Sequence, residues 1–257
     1  MSAVKLDSVG MVFNRGAENE VTALSDISLD IASGEFLSLI GPSGCGKSTM
    51  LRLMGDLLSP TGGSIVVSGK TPHQARLDRE YAMVFQSSTL LEWRTVLDNV
   101  ALPLEIMGVP KPEREGKARE MLDLVQLGAF ADHHPYELSG GMQQRVSIAR
   151  ALSFGPSILL MDEPFGALDE MTRERMQLEV LEIWRETGTT VIFVTHSIPE
   201  AVFLSTRVVV LSPRPGRISD VIDIDLPQPR VFDTREDPRF FDHLTRLRES
   251  LRKVDGA

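Results

Sequence analysis

Gly41-Pro42-Ser43-Gly44-Cys45-Gly46-Lys47-Ser48 stands between a compact apolar run, residues 36–40, and a stretch, residues 48–58, that has the apolar spacing and length of a helix. The octet fits the pattern G-x-x-x-x-G-K-[ST], and a strand before it with a helix after it is the context that gives the pattern a mechanism. Glycines allow successive backbone N–H groups to converge on a phosphate, and the helix amino terminus adds partial positive charge. Lys47 is then placed to reach the outer phosphates of a nucleoside triphosphate and Ser48 to ligate magnesium, with Thr49 next to them in the first turn. Cys45 lies inside the loop with no second cysteine and no base close in sequence, so it reads as a tolerated small residue rather than a catalytic thiol.

Further along, Ile158-Leu-Leu-Met-Asp162-Glu163 is an apolar run ending in two carboxylates, the pattern of a buried strand that delivers acids to the edge of a sheet. The two acids are expected to divide the work. Asp162 belongs to the magnesium shell and Glu163 polarises the water that attacks the γ-phosphate, because phosphoryl transfer needs positioning and charge neutralisation more than covalent help. His196 follows the apolar residues 191–195, at a strand end from which a side chain reaches a γ-phosphate; alone, a histidine is more often a structural residue, and the strand context is what raises this one. Gln86 closes Met83-Val-Phe-Gln86, and its amide suits a metal or an attacking water as well as it suits capping the strand.

Strand-like runs at 158–162, 190–195 and 207–212, with an amphipathic helix over 173–187 between the first two, predict a parallel α/β core. Residues 4–31 form β-rich pieces broken by a polar turn at 14–20, and 63–69 adds another, so a small antiparallel layer is expected beside the core. Between 87 and 155 the periodicity becomes helical with charged faces, as over 113–127, with Pro103, Pro110, Pro112 and Pro135 as breakers. The expected organisation is an ATP-binding core with the β layer at 1–86 and 157–215, a helical subdomain at 87–156, and a C-terminal extension at 216–257 ending in a helix over 240–252. The mixed charges of 230–253 read as a solvated helical face.

Composition narrows the classes. With 257 residues, 42% of them hydrophobic, the chain is long enough to bury a proper core, and its apolar runs fall far short of the roughly 20 residues of a membrane span. The start, MSAVKLDSVG, lacks the basic opening and long apolar run of a secretory signal, so the protein is expected to stay in the cytoplasm. One cysteine excludes an intramolecular disulfide framework and a cysteine-rich zinc site. A net charge of −9 argues against broad attachment to nucleic acid or anionic lipid, so phosphate binding must be local. No repeat of 20 to 50 residues recurs.

Leu138-Ser-Gly-Gly-Met-Gln-Gln-Arg145 resembles the signature sequence of ABC ATPases and stands between the phosphate loop and the acidic strand, as it does in that family. Its physical logic is a second helix amino terminus: Ser139, Gly140 and Gly141 offer a hydroxyl and backbone N–H groups to an anion. The resemblance implies a P-loop NTPase (RecA-like) parallel-sheet core with an antiparallel β subdomain and an inserted α-helical subdomain, with ATP and Mg2+ as ligands. It also implies a head-to-tail dimer, with a second copy or a second ATPase subunit, in which the signature closes on ATP held by the partner. By the same resemblance Phe13 stacks on adenine, Gln86 links nucleotide to a membrane partner, Gly166-Ala-Leu-Asp169 is the loop that crosses the dimer, and His196 senses the γ-phosphate. Phe13 remains readable as a core aromatic.

Two further stretches, Leu90-Leu-Glu-Trp93-Arg-Thr-Val-Leu-Asp-Asn-Val100 and Ser212-Pro-Arg-Pro-Gly-Arg-Ile218, are similar to the nitrate, sulfonate and taurine importer branch. This similarity implies a peripheral subunit at the cytoplasmic face of the membrane, working with a separate permease and, through it, a solute-binding protein. Trp93 is then either an anchor for the permease or a core residue of the helical subdomain. A soluble ABC ATPase acting on ribosomes or DNA is the alternative, but such proteins usually fuse two ATPase units or insert long coiled coils, and neither is present. The signature argues against an unrelated P-loop kinase or GTPase.

Overall fold

The computed structural model describes residues 2–166 and 168–255. A six-stranded sheet of order β5-β6-β7-β3-β8-β9 is built from β3 (Phe36–Ile40), β5 (Tyr81–Val84), β6 (Ile158–Asp162), β7 (Thr190–Val194), β8 (Arg207–Leu211) and β9 (Ile218–Asp223). All neighbours run parallel except β9, which is antiparallel to β8. Every residue of β3 and β7 is buried, which explains why these strands are apolar except for Ser38 and Thr190: both faces of the sheet are covered.

One face packs against α1 (Lys47–Met54) and a three-stranded antiparallel sheet, order β2-β1-β4, of β1 (Ser2–Phe13), β2 (Val21–Ala32) and β4 (Gly62–Val67). Leu37, Leu39, Ile192 and Val194 point to that side, whereas Phe36, Ile40, Val191 and Phe193 point to the other. The second face carries α6 (Glu170–Thr187), α7 (Ile198–Leu204) and α8 (Pro238–Asp255), together with α3 (Val96–Ile106), α4 (Lys111–Leu124) and α5 (Gly140–Leu152) of the helical insertion. A short α2 (Pro72–Leu77) links β4 to β5.

Several expectations shift. The helix after the phosphate loop stops at Met54 rather than running to residue 58. Gly55 takes the cap, donating its N–H to Leu51 O at 3.0 Å, and Asp56 turns left-handed at φ 49°. Likewise α4 ends at Leu124, before the left-handed Gln126, rather than at 127. Pro103 lies inside α3 instead of ending it. Its ring forgoes only the one N–H to the carbonyl of Asn99, and packing of Val96, Val100 and Leu104 into the core holds the helix together.

The stretch expected as an extension is woven into the core. Ile218–Asp223 is the sixth strand of the main sheet, so a boundary at 215/216 falls just before a paired strand. On α8, Phe240, Leu244, Leu247, Leu251 and Val254 recur at intervals of four and three and pack inward, while the charged residues between them face outward. The solvated-face reading holds for that outer side only, because Arg230 is 4% exposed.

Candidate active site

Because the strands are parallel, the carboxyl ends of β3, β6, β7 and β8 reach the same edge of the sheet, where α/β proteins bind ligands. The phosphate loop leaves β3 there, Asp162 ends β6, His196 follows β7, and residues 212–217 follow β8. A cavity of about 330 Å³ opens at this edge, lined by Phe13, Ser43, Gly44, Gly46, Lys47, Ser48, Thr49 and Glu163, with Val21, Ala23 and Arg214 completing the wall. Phe13 and six residues of the phosphate loop and the first turn after it therefore share one space with Glu163. Gly41, Pro42 and Cys45 lie behind it: the first two accept hydrogen bonds from Lys47, and Cys45 is buried with its thiol pushed up by burial.

The loop is built for an anion. The N–H groups of Ser43, Gly44, Gly46 and Ser48 have no protein acceptor among the described residues, and Gly46, at φ 108°, caps α1 without a side-chain bond. Lys47 is 6% exposed and donates to Gly41 O at 2.8 Å and Pro42 O at 3.0 Å. Both are neutral carbonyls, weaker partners for an ammonium than a phosphate oxygen. Phe13 ends β1 half-buried, paired with Val21 of β2, and its side chain both packs against the core beneath the antiparallel sheet and lines the cavity wall.

Ser48 Oγ donates to Asp162 Oδ1 at 2.8 Å, joining the first turn of α1 to the end of β6. Glu163 adopts a left-handed backbone, φ 47°, yet its N–H still reaches Val194 O at 3.0 Å. A non-glycine residue held there costs on the order of 1–3 kcal/mol and aims its side chain away from the strand's alternation. His196 Nδ1 stands 3.2 Å from Glu163 Oε2. Glu163 also borders a second depression of about 270 Å³, shared with Gly166, Arg173, Thr195, His196, Ser197 and Glu200. Gln86 is exposed and lines neither cavity. Its Nε2 lies 3.2 Å from where a Cβ on Gly166 would stand, so it abuts the loop leading away from Glu163.

Ser139 caps α5, accepting from Met142 N at 3.3 Å, and Ser139 and Gly140 are exposed. Neither they nor Gly141 line either of the two cavities. A Cβ on Gly141 would come within 2.6 Å of Thr172 Cγ2, so the signature helix meets the start of α6 closely. Asp169 caps α6 through Thr172 N at 3.0 Å, and bonding to Thr172 holds its carboxyl below the usual range. Of the expected dimer-crossing stretch, Ala167 lies outside the described residues. Helix α5 grips the segment on both sides of Gln86. Gln144 Nε2 donates to Phe85 O at 3.1 Å, and Arg150 donates to Ser88 O at 2.8 Å and Thr89 O at 2.9 Å.

Among the described residues no cluster of three or more His, Cys, Asp or Glu side chains forms a metal cage. The oxygen pair Ser48 and Asp162 fits Mg2+ instead, which keeps several waters and takes one or two protein oxygens plus substrate phosphates.

Sequence reasoning passed over three residues. Arg214 lines the nucleotide cavity, and the available signal was its place just past β8, at the same sheet edge as the phosphate loop. Arg173 donates to Leu168 O at 2.7 Å and lies 3.5 Å from Glu200, which also accepts from Thr195. These two tie the start of α6 to the turn that presents His196. Their spacing in sequence held no motif that would have paired them. Trp93, readable as anchor or core, is 75% exposed.

With this geometry the chain was compared with known proteins. The ABC transporter family profile matches residues 24–166. An uncharacterised ABC transporter ATP-binding protein of Methanocaldococcus jannaschii is 50% identical over 227 residues, 88% of this chain and 84% of that one. A taurine import ATP-binding protein of Rhizobium johnstonii is 46% identical over 257 residues, covering 98% of this chain and 95% of its own. Among solved structures, the dimeric post-hydrolysis state of an ATP-binding cassette bound to ADP and Pi superposes with a TM-score of 0.74 at 36% identity, covering 89% of this chain and all of that one. The chain belongs to the ABC transporter family, as an ATP-binding subunit that hydrolyses ATP.

Proposed function

We propose that this chain is the motor of an importer for taurine or a related sulfonate or nitrate solute, acting as a dimer that holds two ATP molecules between its copies. The observation that carries the dimer is the split of the site: Lys47, Glu163 and His196 gather at the sheet edge, whereas the exposed Ser139 and Gly140 offer a second anion-binding end outside the cavities those residues border. A phosphate loop and a signature that do not meet within one chain are brought together by a second copy. The dimeric cassette at 36% identity supports the same arrangement.

In this reading the loop N–H groups and Lys47 bind and orient the polyphosphate, and Phe13 stacks on the base. Ser48 and Asp162 would hold Mg2+, which supplies charge neutralisation at the phosphates when bound. Glu163 accepts a proton from the water whose oxygen attacks the γ-phosphorus, and His196 Nδ1, at 3.2 Å, keeps that carboxylate in place. ADP is the leaving group. Gln86 and the segment gripped by α5 relay closure to the permease, with exposed Trp93 as an anchor on that surface. In this reading the translocation path lies in a separate permease, with this chain attached at the cytoplasmic face, as the importer relatives suggest; no described helix is long and apolar enough to cross a membrane.

The solute rests on the taurine import relatives, 46% identical over nearly the whole chain in one case. Two measurements test the reading. In mixed dimers, Ser139→Arg in one copy should impair turnover of the nucleotide held by the other; undiminished turnover refutes the split site. In proteoliposomes with the cognate permease and binding protein, taurine should stimulate ATP hydrolysis more than nitrate or an alkanesulfonate, and an equal or reversed response removes the taurine assignment.

A further inference from the structure

We propose that Arg214 is a polyphosphate-binding residue, delivered to the nucleotide cavity by a strap, residues 212–218, laid across the phosphate loop. The inference rests on the nucleotide reading of that cavity and adds a cation to it from outside the phosphate loop. The strap is fixed at both ends. Ser212 and Arg217 are cross-bonded, N–H of Ser212 to Arg217 O at 2.9 Å and N–H of Arg217 to Ser212 Oγ at 3.0 Å. Gly216 donates to Ala23 O at 2.9 Å and accepts from Ser25 N at 3.0 Å, which pins the strap to β2. A Cβ on Gly216 would lie 2.1 Å from Cys45 O, so only glycine lets the strap lie this close to the phosphate loop.

Between Pro213 and Pro215, whose rings restrict the backbone, Arg214 reaches over the middle of the phosphate loop. Its Nε donates to Gly44 O at 3.1 Å, and its Nη2 lies 2.9 Å from where a Cβ on Gly44 would stand. A guanidinium has five N–H donors. Only the one on Nε has a protein acceptor among the described residues, and no carboxylate lies within ion-pair distance. The side chain lines the same cavity as Lys47 and Phe13. A planar fork with four unspent donors, set on the phosphate loop beside a second cation, matches the oxygen array of a polyphosphate better than a base or a ribose.

The test is equilibrium binding of ATP to the full-length protein across a range of salt concentrations. Arg214→Gln keeps a donor for Gly44 O and removes the charge; Arg214→Ala removes both. Both should raise the Kd for ATP roughly tenfold, the worth of one charge-assisted contact. Both should also flatten the dependence of log Kd on log salt, while Arg214→Lys keeps the wild-type slope. ATP affinity within twofold of wild type, or an unchanged salt slope in the Gln and Ala variants, overturns the proposal. So does a fall of more than 5 °C in the ATP-free melting temperature of both variants, which would show that Arg214 only holds the loop in shape. Lys47→Ala separates the levels: if it also leaves ATP affinity intact the nucleotide reading itself fails, and if it alone weakens binding only the role of Arg214 is lost.

Discussion

Replacing Arg230 by methionine keeps an unbranched apolar stem and removes a buried cation that ties the C-terminal stretch to the core. Its guanidinium donates to Phe203 O at 2.6 Å, Ser205 O at 2.7 Å and Val202 O at 3.2 Å, the carbonyls that the end of α7 leaves without helical partners. Burial pushes the Arg230 pKa down from its ordinary value to about 10, a cost of about 3 kcal/mol for keeping the charge. Three bonds to a charged donor at about 1.5–3 kcal/mol each exceed that cost by a few kcal/mol. The variant also leaves three carbonyls unpaired, so a loss of about 3 kcal/mol is expected, or roughly 6–12 °C in melting temperature for a domain of this size. Thermal scanning and urea titration of the ATP-free protein measure it. A melting temperature within 2 °C of wild type would refute the reasoning and return residues 224–255 to the status of a loosely attached extension.

Burial raises the Glu200 carboxyl above its ordinary value, against the lowering effects of its Thr195 bond and of Arg173. The fold then binds more protons than the unfolded chain just above pH 4.5, so the destabilisation is absent at lower pH and grows as pH rises through the folded pKa. The melting temperature of Glu200→Gln relative to wild type should therefore climb between pH 4.5 and 7.5, and a difference that stays flat or shrinks contradicts the burial account. Trp93 is 75% exposed, so Trp93→Ala should leave the melting temperature within about 2 °C while weakening the complex with the permease tenfold or more. Undiminished retention of that complex would remove Trp93 from the interface.

Much of the site was legible because each part sits at the end of a strand with an unambiguous pattern. Phe36–Ile40, Ile158–Asp162 and Thr190–Val194 are apolar in their interiors, Ser38 excepted, because both faces of the sheet are covered, and the chemically capable residues stand at or just beyond their carboxyl ends. The signature was legible from its glycines and capping serine. The sixth strand was not, since Ile218–Asp223 lies at the sheet's edge, carries polar residues at 219, 220 and 223 with no period-two pattern, and resembles a charged tail. Arg230 was read with its exposed neighbours because nothing local distinguishes a cation that folds back onto the carbonyls of α7, 25 to 28 residues earlier. Arg173 and Glu200, 27 residues apart, are joined only by the packing of α6 against α7.

The central claim is that Glu163 drives hydrolysis of ATP held between two copies of this chain. Steady-state ATP turnover and size-exclusion chromatography with ATP on Glu163→Gln test it together. The amide keeps the shape of the side chain and cannot accept the proton from water, so turnover should fall at least about 100-fold while ATP shifts the variant from monomer to a stable dimer. Turnover near wild type, or a variant that stays monomeric with saturating ATP, would contradict the account.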